Sequence, residues 1–197
     1  MTPTNVLQRT YPWKLSLDGH DITFRLMAAA DRDVILAFAS SLPPNDLLFL
    51  RIDITQPEVI DEWLHNIEAG RTITVIAEAD GKVAGYASLH HNEVLWTRHV
   101  GELRVLISPD YRGIGLGKKL TNEAFAIAKE MGLKKIVAQM TTDQRSARQV
   151  FERLGFRPEA LLADFVIARD DRTHDLLIMS YDVTGFNDSA DTRSPRR

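Results

Sequence analysis

Polar and apolar residues alternate in the stretch "KLSLDGHDITFRLM", on both sides of Asp18 and Gly19. A period of two is typical of a half-buried strand, and Asp-Gly between two such runs indicates a tight hairpin turn. The stretch "TITVIAEADGKVAGYASLHH" has the same form and predicts a second hairpin at Asp80-Gly81. A further strand is predicted in "HVGELRVLISP", ending at Pro109, because proline cannot donate a hydrogen bond to a strand ladder.

A helical period replaces this alternation in residues 31–40 and 57–68, where apolar residues recur every three or four positions. Another helix is predicted after Gly117 and ends at Gly132. Its apolar face consists of Leu116, Leu120, Ala124, Ile127, Ala128 and Met131. "LKKIVAQMT" then predicts a strand. "DQRSARQVFERLGF" predicts a helix with Asp143 as its N-cap. The buried stripe of this last helix is predicted to be Ala147, Val150, Phe151 and Leu154.

Composition and charge exclude several classes of protein. The 197 residues suit one domain, and 44% hydrophobic with 26% charged residues is typical of a globular protein. A formal net charge of −3 gives no sign of a nucleic-acid-binding or membrane surface. The absence of cysteine excludes disulfides and thiolate metal sites. With no signal-like start and no apolar run of about 18 residues, we predict a cytoplasmic protein without a metal.

The stretch "SPDYRGIGLGKKL" places three glycines between a strand end and a helix start. Unpaired N–H groups at a helix N-terminus attract anions, and glycine lets a phosphate approach the main chain. The spacing does not fit a dinucleotide fingerprint, because Lys118 and Leu120 stand where small residues are required. It does not fit a phosphate loop either, since Arg112 and Lys119 occupy required positions. Taken alone, the loop could also be a tight connection.

Arg112, Gly115 and Gly117 form an R-x-x-G-x-G motif, and here the sequence resembles the GNAT superfamily of N-acetyltransferases. A second motif also resembles that family, with Gln144 at a position usually held by asparagine. Its other members are Ala147, Phe151, Gly155 and Phe156. The order of predicted elements is similar to the family's from about residue 20 to 183. Within that superfamily, the sequence resembles the catalytic domain of bacterial protein-lysine acetyltransferases.

This resemblance implies an α+β fold with α/β/α layers. Its mixed, mostly antiparallel sheet has splayed central parallel strands and flanking helices. Residues 20–183 would form the acetyltransferase domain, 1–19 an N-terminal extension with a hairpin strand, and 184–197 a disordered tail. The splay exposes backbone groups that the peptide-like arm of coenzyme A can pair with.

The resemblance also implies where acetyl-CoA binds as co-substrate. The main chain of Val105, Leu106 and Ile107 would hold the pantetheine arm, and Gln144 would reach it from the next helix. The loop and first helical turn would hold the diphosphate, through Arg112, Gly113, Ile114, Gly115, Leu116, Gly117 and Lys118. Lys119 is a further phosphate candidate, although both lysines also suit a solvated helix turn.

Catalysis by direct attack of an amine in a ternary complex requires a group that accepts the amine's proton. Glu102 is the candidate, because similar protein-lysine acetyltransferases carry a glutamate at this position. Strict strand alternation gives a competing interpretation, in which Glu102 faces away from Val105 and Ile107 as a salt-bridge partner. His90, His91 and His99 are candidate proton relays.

The family's usual tyrosine acid is replaced by Phe151, so water, the amine's own proton or Tyr181 would have to serve. This replacement leaves a second hypothesis open, a non-catalytic acyl-CoA-binding sensor or partner module.

The acceptor is predicted to be a small-molecule amine, an amino acid or a protein lysine. The segment "SLPPNDLLFLR" resembles its counterpart in protein-lysine acetyltransferases. Acidic residues that could attract a cationic amine are Asp46, Asp164, Asp170, Asp171 and Asp175. Asp170-Asp171 also suits a plain hairpin turn. Dimers are usual among relatives, so a homodimer is a further expectation.

Overall fold

A computed structural model describes residues 9–48, 50–92, 94–169 and 171–185, and these contain one eight-stranded sheet in the order β1-β2-β3-β4-β5-β6-β8-β7. The strands are β1 (Trp13–Leu17), β2 (His20–Leu26), β3 (Thr72–Ala79), β4 (Lys82–His91), β5 (Val100–Ile107), β6 (Lys135–Thr141), β7 (Arg157–Ile167) and β8 (Thr173–Asp182). Neighbours are antiparallel except β5 and β6. The predicted disordered tail lies outside the described residues except for its first two positions.

Five α-helices flank the sheet in the described parts of the chain. They are α1 (Arg32–Ser41), α2 (Pro44–Leu47), α3 (Pro57–Glu68), α4 (Leu116–Glu130) and α5 (Arg145–Arg153). Both predicted hairpins are present, and their turns suit Asp-Gly because each pair has positive φ, for example 50° at Asp18 and 84° at Gly19. No helix among the described residues is long and apolar enough to cross a membrane.

The hydrophobic core has two parts, one on each face of the sheet. On one face, Ile35 of α1 and Ile60 and Trp63 of α3 pack with Ile76 and Tyr86 of the sheet. The other face holds Leu120, Phe125 and Ile127 of α4 against Phe24 and Leu103, among others. The sheet therefore lies between two helical layers. This arrangement confirms the predicted fold class of a mixed, mostly antiparallel sheet with flanking helices.

The central parallel strands separate, as the resemblance implied. Pairing between β5 and β6 is limited to Val100–Lys135, Gly101–Ile136 and Glu102–Val137. Beyond Glu102 the remaining residues of β5 pair with β4 alone, in unbroken register. A wedge-shaped gap therefore opens toward the carboxyl end of β5, where the glycine loop begins.

The predicted N-cap of α5 is wrong, and its predicted buried stripe is confirmed only in part, because Ala147, Phe151 and Leu154 pack partly buried against the core. Its N-cap is Gln144 rather than Asp143, whose carboxylate lies 2.7 Å from the imidazole Nδ1 of His174. None of its residues is fully buried, and Val150 is 43% exposed. The helix covers the sheet only partly, and Phe156 just after it supplies the buried apolar contact.

Hydrogen bonds to a buried carboxylate of α4 hold the segment that contains Arg9, Tyr11 and Trp13. Glu123 is 4% exposed and accepts hydrogen bonds from Arg9 Nη1 at 2.7 Å, Tyr11 Oη at 2.6 Å and Trp13 Nε1 at 3.4 Å. Burial, followed by the hydrogen bond to this carboxylate, raises the pKa of Tyr11, so its hydroxyl remains a donor.

We expect Glu123→Ala to lower the free energy of unfolding by about 2–4 kcal/mol, because three partly buried donors would lose this buried acceptor. Urea denaturation measures the loss. The control Glu62→Ala, at an exposed position of α3, should change stability by less than about 0.5 kcal/mol. Equal effects of the two substitutions would contradict this role of Glu123.

Candidate active site

A cavity of about 380 Å³ occupies the gap between β5 and β6. It extends to the segment after α2 and to the end of β7. Its wall includes Leu50, Arg51, Ile52, Tyr86, Ser88, His90, Glu102, Arg104, Val105, Leu106, Thr141, Gln144, Phe151, Phe165 and Ile167. A space of this size and composition is typical of small-molecule sites.

Glu102 lies in this wall between two arginines. Its Oε2 accepts a hydrogen bond from Arg51 Nη1 at 2.7 Å, and its Oε1 accepts one from Arg104 Nε at 2.9 Å. Burial acts to raise the pKa of Glu102, but the charges of Arg104 and Arg51 outweigh it and hold this pKa below its usual range. The carboxylate is therefore ionised at neutral pH.

The two interpretations of Glu102 turn out to be compatible. β5 keeps its register against β4 without a bulge, so strict alternation holds and Glu102 is a salt-bridge partner. Nevertheless both Glu102 and Val105 line the cavity, because the cavity follows the opening between two strands rather than one face of the sheet.

Of the three candidate histidines, His90 lines the cavity. It pairs with Glu102 across β4 and β5, and its Nδ1 lies 3.0 Å from the Thr72 hydroxyl. Burial and the charge of Arg104 lower the pKa of His90 to about 4, so its imidazole is neutral at pH 7. His91 donates from Nε2 to the Gly70 carbonyl at 2.7 Å, and His99 directly precedes β5, where its carbonyl accepts from the Lys134 N–H at 2.8 Å.

The glycine loop has the backbone that anion binding needs. Gly113 and Gly115 have φ of 84° and 86°, in the left-handed region that other residues enter only with strain. Gly115 is the N-cap of α4, and the first intrahelical bond runs from Lys119 N to Gly115 O. The N–H groups of the first turn therefore have no acceptor within the helix. A Cβ built on Gly117 meets only Ile107, at 3.8 Å, so the fold itself leaves room there.

Arg112, the first residue of the motif, turns back toward the protein. Its Nε and Nη2 donate to the Ile107 carbonyl at 3.3 and 3.1 Å. Its Nη2 also lies 2.7 Å from Asp46 Oδ2 of α2.

The predicted cofactor residues thus fall into two groups. Val105, Leu106 and Gln144 line the cavity, whereas Ile107, the last residue of β5, and residues 112–118 after it lie outside the cavity wall. The side-chain amide oxygen of Gln144 accepts from the Thr141 N–H at 3.0 Å, so this residue also closes the end of β6.

Among the candidate proton donors, Tyr181 is 3% exposed and stacks on Phe125 at 4.6 Å between ring centroids, outside the cavity wall. Phe151 lines the cavity and packs edge-on against Phe156 at 4.9 Å. Tyr86 also lines the cavity, and the sequence analysis did not single it out. Burial raises the pKa of Tyr86, so its hydroxyl stays protonated.

Among the described residues, none of the aspartates predicted to attract an amine lines the cavity. Of the acidic residues that the structure describes, Glu102 alone lines the cavity. Asp46 contacts Arg112, while Asp164 and Asp175 contact one another within the β7–β8 hairpin, where the Asp164 N–H donates to Asp175 Oδ1. Asp171 has the positive φ of a turn residue, and Asp170 lies outside the described residues.

Two arginines therefore make the described cavity wall cationic, and little in the sequence pointed to them. Arg104 stands two positions after Glu102 on the same strand, so strand alternation could have placed the two together. Arg51 lies 51 residues away in a non-helical segment, and no local pattern indicates its contact with Glu102.

The mouth of the cavity is apolar and is bridged by an ion pair. Phe165 and Ile167 at the end of β7 are 64% and 71% exposed, and Ile52 is a further exposed apolar residue of the wall. Asp53, next to Ile52, forms a salt bridge with Arg169, just past β7.

Comparisons with known proteins agree with this geometry. The model of the acetyltransferase (GNAT) family matches residues 45–156, more than half of the chain. YwnH of Bacillus subtilis (strain 168), a phosphinothricin acetyltransferase candidate, is 24% identical over 167 residues, which cover 83% of this chain and all of the relative. MnaT of Escherichia coli (strain K12), an L-amino acid N-acyltransferase, is 31% identical over 87 residues, 42% of this chain and 48% of that relative.

The fold has many solved counterparts. The acetyltransferase candidate yncA from Salmonella typhimurium, solved with its cofactor acetyl-CoA, superposes with a TM-score of 0.71 at 21% identity. The superposition covers 89% of this chain and 98% of that one. The predicted GNAT-like fold is therefore confirmed.

Proposed function

Because this chain belongs to the acetyltransferase (GNAT) family, we propose that it transfers an acetyl group from acetyl-CoA to the primary amine of a small acceptor that also carries a carboxylate. That it is an acyltransferase with acetyl-CoA as co-substrate follows from the family, which favours catalysis over a non-catalytic acyl-CoA sensor. The observation that carries the finer proposal is the Arg51–Glu102–Arg104 cluster in the wall of the β5–β6 gap.

We assign the coenzyme A moiety to the gap and the glycine loop. The N–H groups at the start of α4 would hold the diphosphate, since they lack intrahelical acceptors and the helix dipole favours negative charge. The pantetheine arm would pair with main-chain groups of Val105, Leu106 and Ile107, which β6 does not pair, although the Ile107 carbonyl already accepts from Arg112. This assignment places the thioester near Glu102, where the two strands part.

In the reaction the amine nitrogen attacks the thioester carbonyl carbon, an N–C bond forms, the C–S bond breaks and the coenzyme A thiolate leaves. An alkyl ammonium has a pKa of about 10.4, so it must lose a proton before attack. We assign the acceptance of that proton to Glu102, directly or through water. The thiolate is then protonated by water or by the proton taken from the amine.

The charges in the wall favour an acceptor with a carboxylate. Two guanidinium groups face one carboxylate there, which leaves the described wall with one net positive charge. Arg51 and Arg104 each donate one N–H to Glu102, and a guanidinium carries five donors that suit carboxylates. The names of YwnH and MnaT, which refer to phosphinothricin and L-amino acids, point the same way.

The mouth favours a small acceptor over a protein lysine. The Asp53–Arg169 salt bridge joins its two sides, and a lysine presented by a folded protein would have to pass between them. The apolar residues Ile52, Phe165 and Ile167 at the mouth suit an acceptor with an apolar side chain. The division of the chain at residues 19 and 183, the cytoplasmic location and the homodimer stay predictions.

We expect an amino acid with an apolar side chain to be acetylated with a kcat/KM about tenfold or more above that of its amide, which lacks the carboxylate charge. A charge-assisted contact of about 1.5–3 kcal/mol supports that ratio. The measurement is release of free thiol from acetyl-CoA with matched acid and amide pairs and with lysine peptides. Equal rates within each pair, or a preference for lysine peptides, would refute the acceptor assignment.

A further inference from the structure

We propose that Asp46 and Arg112 form a contact that couples coenzyme A binding at the glycine loop to the order of the acceptor side of the cavity. Asp46 is thereby a positioning residue, and the proposal rests on the assignment of coenzyme A to that loop. The segment that it would position, residues 44–48 and 50–54, is named the α2 segment.

The first observation is the direction of the Arg112 side chain. Its guanidinium contacts the Ile107 carbonyl and Asp46, which lie at the end of β5 and on α2, rather than the loop that follows it. Through these contacts Arg112 links the end of β5 to α2. It is 48% exposed, so further donors of its planar group remain within reach of a ligand bound at the loop.

The second observation is that Asp46 depends on Arg112. The Asp46 side chain is 17% exposed, and its Oδ2 is buried. This oxygen lies 2.7 Å from Arg112 Nη2 but accepts no hydrogen bond of good geometry from the described residues. The contact is therefore one of charge alone. Among the described residues, Arg112 is the cation that Asp46 contacts, so the position of the Arg112 guanidinium affects how α2 is held at this point.

The third observation is that the same segment supplies a wall of the acceptor site. Leu50, Arg51, Ile52 and Ile54 line the cavity directly after α2. Arg51 binds Glu102 in β5, while Asp46 binds Arg112 just past the end of β5. The α2 segment is thus attached at two points along β5, one at the cofactor loop and one at the proposed base.

Through these contacts, coenzyme A bound at the glycine loop can influence the acceptor side of the cavity. A diphosphate at the loop lies beside Arg112 and restrains its guanidinium, and a restrained guanidinium in turn fixes Asp46 and the α2 segment. The coupling is reciprocal by necessity, because each ligand changes the affinity for the other by the same factor. Coenzyme A is expected to order the acceptor wall before the amine enters.

The test uses the full chain and coenzyme A alone, with hydrogen–deuterium exchange and calorimetry. In the wild-type protein, coenzyme A should slow exchange in the α2 segment about tenfold. In Asp46→Asn this protection should be lost, while the dissociation constant of coenzyme A changes less than about threefold, since a partly exposed ion pair contributes about 1 kcal/mol or less.

The matched control is Asp61→Asn. It removes a second Arg–Asp pair of the same helical layer, in which Arg32 Nη2 donates to Asp61 Oδ2 at 3.0 Å, away from the cavity wall. This variant should keep the protection of the α2 segment. The acceptor KM gives a second readout, because Asp46→Asn should raise it with little change in the KM for acetyl-CoA.

The outcomes separate the two proposals. A wild-type protein that does not bind coenzyme A would overturn the proposed function itself. Binding without protection of the α2 segment, or protection that persists in Asp46→Asn, would overturn the coupling alone. If Arg112→Gln weakened coenzyme A binding more than tenfold while Asp46→Asn left the segment unchanged, Arg112 would be a phosphate ligand only.

Discussion

Replacing Gly117 with alanine is expected to weaken coenzyme A binding about tenfold to a hundredfold while leaving the protein folded. The added methyl group has room in the free protein, where its nearest neighbour is Ile107 at 3.8 Å. Alanine is also a better helix former than glycine, by up to about 1 kcal/mol, so stability should not fall. The penalty appears when a diphosphate approaches the main chain, because overpacking by one methyl group costs about 1–3 kcal/mol.

Calorimetry with coenzyme A and thermal denaturation measure the two effects. Gly115→Ala is the contrasting variant, because its φ of 86° adds backbone strain of about 1–2 kcal/mol to any loss of binding. Unchanged coenzyme A affinity in Gly117→Ala would show that the ligand does not approach the main chain at the start of α4.

The second large effect is expected at Glu102, where Glu102→Gln should lower kcat/KM by about 10²–10⁴-fold. Glutamine keeps the size of the side chain and an oxygen for Arg51 and Arg104, but it accepts no proton from the amine. Glu58→Gln, at an exposed position in the first turn of α3, is the matched control and should leave the rate unchanged. An activity within threefold of the wild type would exclude Glu102 as the base.

The pH profile distinguishes a base from a structural ion-pair partner. Arg104, Arg51 and His90 are the groups that perturb Glu102, and the two arginines hold its pKa below the usual range. Activity should therefore fall on the acidic side only below that range, as the carboxylate becomes protonated. Arg51→Gln removes one cation, so the pKa of Glu102 should rise and the acidic limb of kcat/KM should move to higher pH. If the acidic limb of kcat/KM stays at the same pH in Arg51→Gln, Glu102 is excluded as the group that accepts the amine's proton.

Local chemistry explains why much of the fold could be predicted. Asp80 and Gly81 adopt φ of 52° and 74°, which the Asp-Gly pair tolerates wherever it occurs, so the hairpin can be recognised from a few letters. The helices 57–68 and 116–130 were predictable because their apolar residues keep the helical period. The error at α5 has a related cause. Its apolar stripe is real, but the sheet covers it only partly, and coverage is not a local property.

Long-range contacts explain what could not be predicted about the site. Arg51 and Glu102 are 51 positions apart, and Asp46 meets Arg112 only because the α2 segment lies along β5. Nothing in the residues around Asp46 distinguishes a partner of Arg112 from an attractant for an amine, and the sequence favoured the latter. The structure places Asp46 outside the cavity wall and gives the wall two arginines instead.

The sequence by itself determined the elements, the family and the loop with Gly113, Gly115 and Gly117, because turns, helical periods and backbone freedom depend on residues close together in the chain. Only the tertiary structure decided what surrounds Glu102 and which way Arg112 turns. Charge and proton affinity at a site depend on groups within a few ångströms in space, and those groups come from distant parts of the chain.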